Sequence, residues 1–290
     1  MSDFVQFARA HGLVLDHAVA DGRWHRVKTE DKPRKYNGAY LCDGRGGVVR
    51  NWATMTDFAA WRPSETTRID PVQFRRVMQD ARAEQAVKQR KAAERAHAMI
   101  KSAKLVIPQK TQRRRGGWSA AVATHPYLVR KGFPEQPGLV LGDLLVIPMH
   151  DLSGALVGAQ TIDAAGKKLF LTGTRAKGAV HRLGRGRELW LVEGYATGLT
   201  VQAAAARLYR LVEVVVCFSA ENLRHVASLV EGAYIVADHD ASGTGERVAV
   251  ATGRPWCMPA KVGQDANDLH LAEGIDAVVA LMREAISRNE

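Results

Sequence analysis

The sequence predicts an α/β protein: a parallel sheet flanked by helices, preceded by a β-rich subdomain and a small α+β N-terminal module. Three observations carry this reading. Residues 189–192, 214–218 and 233–237 are unbroken apolar runs, the pattern of strands buried on both faces. Helix-length stretches separate them, as parallel neighbours require. Each run also ends in polar residues, Glu193-Gly194-Tyr195, Ser219 and Asp238-His239-Asp240. In open parallel sheets ligands sit beyond the carboxyl ends of the strands.

From the N-terminus, residues 1–63 form the first module. Residues 4–13 are expected as a short helix and residues 24–27, 38–41 and 48–52 as strands. Gly44, Gly46 and Gly47 mark a turn, and Trp61 closes the module. The aromatics Trp24, Tyr36, Tyr40, Trp52 and Trp61 interleave with Arg26, Lys28, Lys32, Arg34, Lys35 and Arg50. Such a mixture suits nucleic-acid bases and phosphates, or the core of a small domain. Residues 64–106 are expected as a basic linker helix. Residues 72–103 lack proline and are rich in Ala, Arg, Lys and Gln, with Phe74, Val77, Met78 and Ala81 on one stripe. Residues 107–186 read as the β-rich subdomain: strands at 144–149 and 156–162 around a turn at Asp151-Leu152-Ser153-Gly154, then residues 166–171. The parallel unit occupies residues 187–290, with helices expected at 196–208, 220–229, 243–251 and 273–287.

The chain has 290 residues, 46% of them hydrophobic, enough for an ordinary globular core. No apolar run approaches 18 residues, so no membrane span is expected. The first residues lack the basic-then-apolar pattern of a secretion signal. Cys42, Cys217 and Cys257 are scattered, which fits a reducing cytoplasm without disulfides. The net charge of +11 is uneven, with 13 Lys or Arg against three acids in residues 71–115. A basic surface beside an acidic site suits a polyanionic substrate; a solvated positive helix face is the plainer alternative.

The chemistry centres on the carboxylates. Glu193, Asp238 and Asp240 at one sheet edge repel one another unless a cation lies between them. Oxygen ligands without a thiolate point to Mg²⁺ or Mn²⁺, ions that serve phosphate chemistry. Asp238 and Asp240, two apart, are expected on one side of an extended strand, and His239 on the other. Lys167, Lys168, Arg175 and Lys177 are candidates to grip phosphates. Ser219 and Asn222 are candidates for nucleotide contact, with helix capping as the alternative for Ser219. Arg113, Arg114 and Arg115 are candidates for DNA backbone contact. No zinc is expected, because the chain has no Cys-x-x-Cys.

These motifs carry a resemblance. Val192-Glu193-Gly194-Tyr195, followed by Asp238-His239-Asp240 with Ser242-Gly243 behind it, resembles a Toprim domain. That domain occurs in bacterial-type DNA primases, type IA and II topoisomerases and some nucleases. Asp265-Ala266-Asn267-Asp268-Leu269 is similar to the acidic segment that follows the Asp-x-Asp strand in the primases. His125-Pro126-Tyr127-Leu128, Leu145-Val146-Ile147-Pro148-Met149 and Gly166-Lys167-Lys168-Leu169-Phe170-Leu171 resemble the N-terminal part of the primase catalytic core. The resemblance covers about residues 107–275 and is closest to primases of phages and conjugative plasmids. Residues 1–63 look more loosely like the leader domain of those proteins.

The resemblance implies a Toprim-type sheet and a DNA primase, a nucleotidyltransferase making short RNA primers from ribonucleoside triphosphates on a single-stranded DNA template. It adds Asp265 to Glu193, Asp238 and Asp240 as ligands for two Mg²⁺ or Mn²⁺ ions. Glu193 would ligate metal or act as general acid/base. Thr197 stands where replicative primases carry a further carboxylate. No phosphate-cradling Gly-x-x-x-x-Gly-Lys-Ser/Thr loop is present, so a replicative helicase is expected as a separate partner. Two alternatives stay open: a metal-dependent Toprim nuclease, and a non-catalytic single-stranded-DNA-binding accessory protein.

Overall fold

The computed structural model describes residues 2–55, 57–62, 71–108 and 124–288, with the backbone alone at 2, 71–78 and 81. The chain divides into two compact units, residues 1–83 and 84–290.

In the first unit, α1 (Ser2–Ala10) precedes β1 (Leu13–Val14), β2 (Trp24–Thr29), β3 (Gly38–Cys42), β4 (Gly47–Asn51) and β5 (Ala59–Trp61). The five strands pair antiparallel in sequence order. Phe4 and Ala8 of α1 pack on Tyr40, Cys42, Val49 and Trp61. A Cβ at Gly47 would stand 2.4 Å from the Phe4 ring, so this strand can seat the helix only with glycine there.

Helix α2 (Pro71–Ser102) leads into the second unit. The apolar stripe expected at Phe74, Val77, Met78 and Ala81 falls on side chains outside the described residues, as does the basic segment 110–115. Ala96, with Met99 and Ile100 beside it, packs on Val146 and Ala159. The second sheet comprises β6 (Lys104–Val106), β7 (Gly138–Leu141), β8 (Leu144–His150), β9 (Leu156–Ile162) and β10 (Lys168–Phe170), antiparallel throughout. Helix α3 (Pro126–Arg130) precedes β7, and His125 caps it by accepting from the Tyr127 N–H.

The third sheet holds β11 (His181–Gly184), β12 (Glu188–Val192), β13 (Val212–Val216), β14 (Ala233–Val236) and β15 (Trp256–Cys257), in the order β11-β13-β12-β14-β15. Strands β13, β12, β14 and β15 run parallel. Edge strand β11 is antiparallel to β13, so the sheet is mixed and residues 181–184 pair here rather than with the second sheet. Helices α4 (Tyr195–Arg207), α5 (Ala220–Ala227), α6 (Thr244–Thr252), α7 (Ala266–Glu273) and α8 (Ile275–Ser287) complete the unit. The two faces of the sheet are buried in separate clusters, Trp190, Val192, Val214 and Val216 in one and Leu191, Val215 and Ile235 in the other. This is why those strands read as unbroken apolar runs. Among the described residues no helix is long and apolar enough to cross a membrane.

His181, on β11, donates from Nδ1 to the Pro148 carbonyl (3.0 Å) and meets the Tyr195 ring edge-on. Burial pushes its pKa down from 6.5 to about 4, with the Pro148 bond opposing. Between those values the unfolded chain binds more protons than the folded one, so stability falls as pH drops from about 6.5 to about 4. His181→Gln should flatten that limb of a melting-temperature profile against pH; an unchanged acid limb would assign it to other groups.

Candidate active site

The sheet order decides where the site lies. From β12 the chain crosses to β13 on one side, then passes back to β14 on the other. The crevice between the carboxyl ends of β12 and β14 is therefore the switch point at which open α/β sheets take ligands. Glu193 directly follows β12, and Asp238 stands two residues beyond β14. Both line a cleft of about 160 Å³ with Asp265, Gly194, Ala196, Thr197 and Phe218; Gln160 and Lys168 of the second sheet close it.

The electrostatics of this cleft are those of crowded carboxylates. Asp238 Oδ1 is buried with no hydrogen-bond partner. Burial, then the charges of Glu193 and Asp265, push its pKa up to about 7, against the pull of Lys168. Glu193 is raised by burial and then by Asp240, with Lys168 and the Ala220 N–H opposing. The Thr197 hydroxyl is also buried without a partner. Among the described residues no three or more His, Cys, Asp or Glu side chains are grouped so as to hold an ion by themselves. That spacing still suits Mg²⁺, which keeps several waters and is held by one or two carboxylates plus substrate phosphates. The partnerless Asp238 oxygen and the oxygen-only donor set fit such an ion.

Asp240 departs from the expected alternation. Strand β14 ends at Val236, so the period-2 geometry no longer holds at residues 238–240. Asp240 Oδ1 accepts from the Ser242 N–H (2.9 Å), the Ser242 hydroxyl and the Thr244 N–H (3.3 Å), and Oδ2 from the Gly245 N–H (2.8 Å). Burial opposes the charge, but these bonds outweigh it and hold the pKa at about 2. Asp240 thus organises the turn into α6 and still places a charge near Glu193. Asp265 caps α7, accepting from the Asp268 N–H (2.8 Å), while the Asp268 carboxylate accepts in return from the Asp265 N–H.

The remaining candidates separate. Lys168 reaches the cleft; Lys167, Arg175 and Lys177 are not among its lining residues. Arg175 instead pairs with Asp151 (3.0 Å). Lys177 lies near His225, whose pKa is lowered by burial and then by this lysine. His239 bonds the Pro259 carbonyl through Nδ1 (2.8 Å). Ser219 caps α5 by accepting from the Asn222 N–H. Arg113 and Arg114 lie outside the described residues.

Asn222 clamps backbone. Its buried amide donates to the carbonyls of Ala179 (2.7 Å) and Cys217 (2.8 Å) and accepts from the Gly178 N–H (2.7 Å). Both of its N–H donors are used, and the oxygen accepts one bond of the two it can. Asn222→Ala should cost about 2 kcal/mol or more, because it strands buried backbone groups, and chemical denaturation measures that loss. A variant of wild-type stability would show that the clamp contributes nothing to folding.

Sequence reading missed Gln160, Phe218 and Tyr127. Gln160 is a polar residue inside a buried strand, a signal that was legible. Phe218 has φ 66°, in the left-handed region that bulky residues avoid; only the structure reveals that. The buried Tyr127 hydroxyl has no partner, and burial, then the Asp265 charge, raise its pKa.

No known protein-family profile matches the chain. The solved structures it resembles are DNA primase catalytic domains. A DNA primase domain from Pseudomonas aeruginosa aligns over 65% of this chain and 58% of its own length, at 18% identity and a TM-score of 0.36. This chain therefore spans less than two thirds of that domain. The DnaG primase catalytic domain bound to ssDNA aligns over 70% of this chain and 74% of its own, at 16% identity and a TM-score of 0.37. The E. coli primase catalytic core aligns over 69% and 74%, at 16% identity and a TM-score of 0.35. Values this low give no residue of this chain a role.

Proposed function

We propose that the chain is a Toprim-type DNA primase that joins ribonucleotides into short primers on single-stranded DNA. The observation that carries the proposal is the partnerless, buried oxygen of Asp238 in one cleft with Glu193 and Asp265, faced by Lys168. A site that crowds carboxylates and leaves one unsatisfied is built for a cation rather than for stability. The motifs at residues 125–128, 145–149 and 166–171 favour primer synthesis over the other Toprim activities.

Asp238 with Glu193 or Asp265 would hold Mg²⁺ or Mn²⁺. An ion held there would supply Lewis-acid chemistry, lowering the pKa of an attacking 3′-hydroxyl and shielding charge on the α-phosphate. Lys168 offers its ammonium to the triphosphate and to the leaving pyrophosphate. Glu193, its carboxyl pKa raised by burial, would take the hydroxyl proton. Asp240 fixes the loop that carries Asp238. Single-stranded DNA, ribonucleoside triphosphates and a separate helicase are the partners of this reading.

The test is incorporation of labelled ribonucleotides on unprimed single-stranded DNA with Mg²⁺ or Mn²⁺. Short RNA products that vanish in Glu193→Gln are expected. Metal-dependent shortening of the template without RNA would replace the proposal with a nuclease. Binding without either reaction would leave an accessory protein.

A further inference from the structure

The first unit carries a second surface with its own chemistry. Cross-strand partners place Trp24, Arg26, Leu41, Ala39, Val48, Arg50 and Ala60 on the face of its sheet opposite the one that packs on α1. On this face the Arg26 guanidinium lies 4.0 Å from the centroid of the Trp52 ring. The Arg50 guanidinium lies 5.7 Å from Trp52 and 5.0 Å from Phe58. Trp24 and Phe58 pack at 5.2 Å. Trp52 remains 39% exposed and the neighbouring Tyr36 60%.

Two features separate this shelf from ordinary packing. Among the described residues neither guanidinium makes an ion pair with a carboxylate. Arg26 donates to the Tyr36 carbonyl (2.6 Å), and Arg50 Nε is buried with no hydrogen-bond partner among the described residues. Burial works against both charges, with Asp57 giving Arg50 some relief. Partly desolvated cations with no carboxylate in contact favour an anion from outside. The second feature is that the cations lie beside aromatic rings, of which Trp52 and Tyr36 are exposed. Proteins that bind single strands without sequence preference combine exactly these parts, a cationic track and ring platforms for base stacking. A duplex hides its bases' faces, so it cannot use the rings.

We infer that Arg26, Arg50, Trp52 and Tyr36 form a metal-independent binding surface for single-stranded nucleic acid, separate from the carboxylate cleft. It does not rest on the primase reading.

The test uses the full chain in EDTA, where the cleft chemistry is silent, with labelled oligo(dT) and an abasic deoxyribose-phosphate chain of equal length. Trp52→Ala should weaken oligo(dT) binding about tenfold, while Trp52→Phe, which keeps a ring, retains most of it. Arg26→Gln with Arg50→Gln should lower the slope of log affinity against log salt by about 1.4, at about 0.7 per lost phosphate contact on single strands. The abasic chain should bind wild type weakly and ignore Trp52→Ala. Should a variant misfold, photocrosslinking of 4-thiothymidine oligonucleotides to the wild type still decides: adducts are expected on Trp52 or Tyr36. Equal binding of the abasic chain, unchanged affinity in folded variants, or adducts confined to residues 84–290 would overturn the inference. Failure of the primase reading appears only as missing RNA product and leaves these readouts untouched.

Discussion

Asp238→Asn should reduce primer synthesis about 10³-fold, the scale set by removing one preorganised charge-stabilising group, while making the metal-free protein more stable at pH 8. Both effects have one cause. Asp238 is held at about 7 against an ordinary 3.8 by burial and by Glu193 and Asp265. The folded state therefore keeps a proton that the unfolded state releases, and stability falls as pH rises from about 4 to about 7. Asparagine has no charge to lose. The gain in melting temperature should be absent near pH 4 and complete by pH 8. Mg²⁺ should then stabilise the wild type more than the variant, because a ligand stabilises only the state that binds it. A variant that is active, or one whose stability tracks the wild type at every pH, would remove Asp238 from the centre of the site.

Gly245→Ala should lower stability by about 3 kcal/mol and abolish activity with it. A Cβ at Gly245 would stand 2.1 Å from the Asp238 carbonyl oxygen. Its own N–H holds Asp240 Oδ2. The clash is backbone against Cβ, so no side-chain rotation relieves it; α6 or the Asp238 loop must move. Gly243→Ala provides the control. Gly243 has φ 65°, yet a Cβ there meets nothing nearer than the Arg247 guanidinium at 3.8 Å. It should cost about 1 kcal/mol and spare most of the activity. Equal effects of the two substitutions would show that conformational strain, rather than the approach of α6 to Asp238, governs this loop.

Patterns carried by contiguous residues were legible, and those made by distant contacts were not. The three apolar runs became β12, β13 and β14 because burial on both faces leaves no room for polar alternation. Strands β11 and β15 escaped because edge strands of four and two residues have no such pattern. Helix α7 was read only as an acidic segment, although Asp265 and Asp268 stand at the two positions of a capping box. Glu193 and Asp238 stand out in sequence because they follow buried strands, and they line one cleft. Lys168 could not be told from Lys167, since what separates them is the approach of β10 to the third sheet. Asn222 is ambiguous in sequence because a polar residue in a strand-to-helix loop serves equally to clamp backbone, and its three partners appear only in the structure. Asp240 has the right residue type, but its position beyond the end of β14 commits its oxygens to the turn.

The most direct test of the metal site is Fe²⁺-directed hydroxyl-radical cleavage of the full chain. Fe²⁺ takes the place of Mg²⁺ and cuts the backbone around its own ligands. The account predicts cuts clustered near residues 193, 238 and 265, suppressed by excess Mg²⁺ and missing in Asp238→Asn. Cleavage that avoids these three segments, or persists there in the variant, would contradict it.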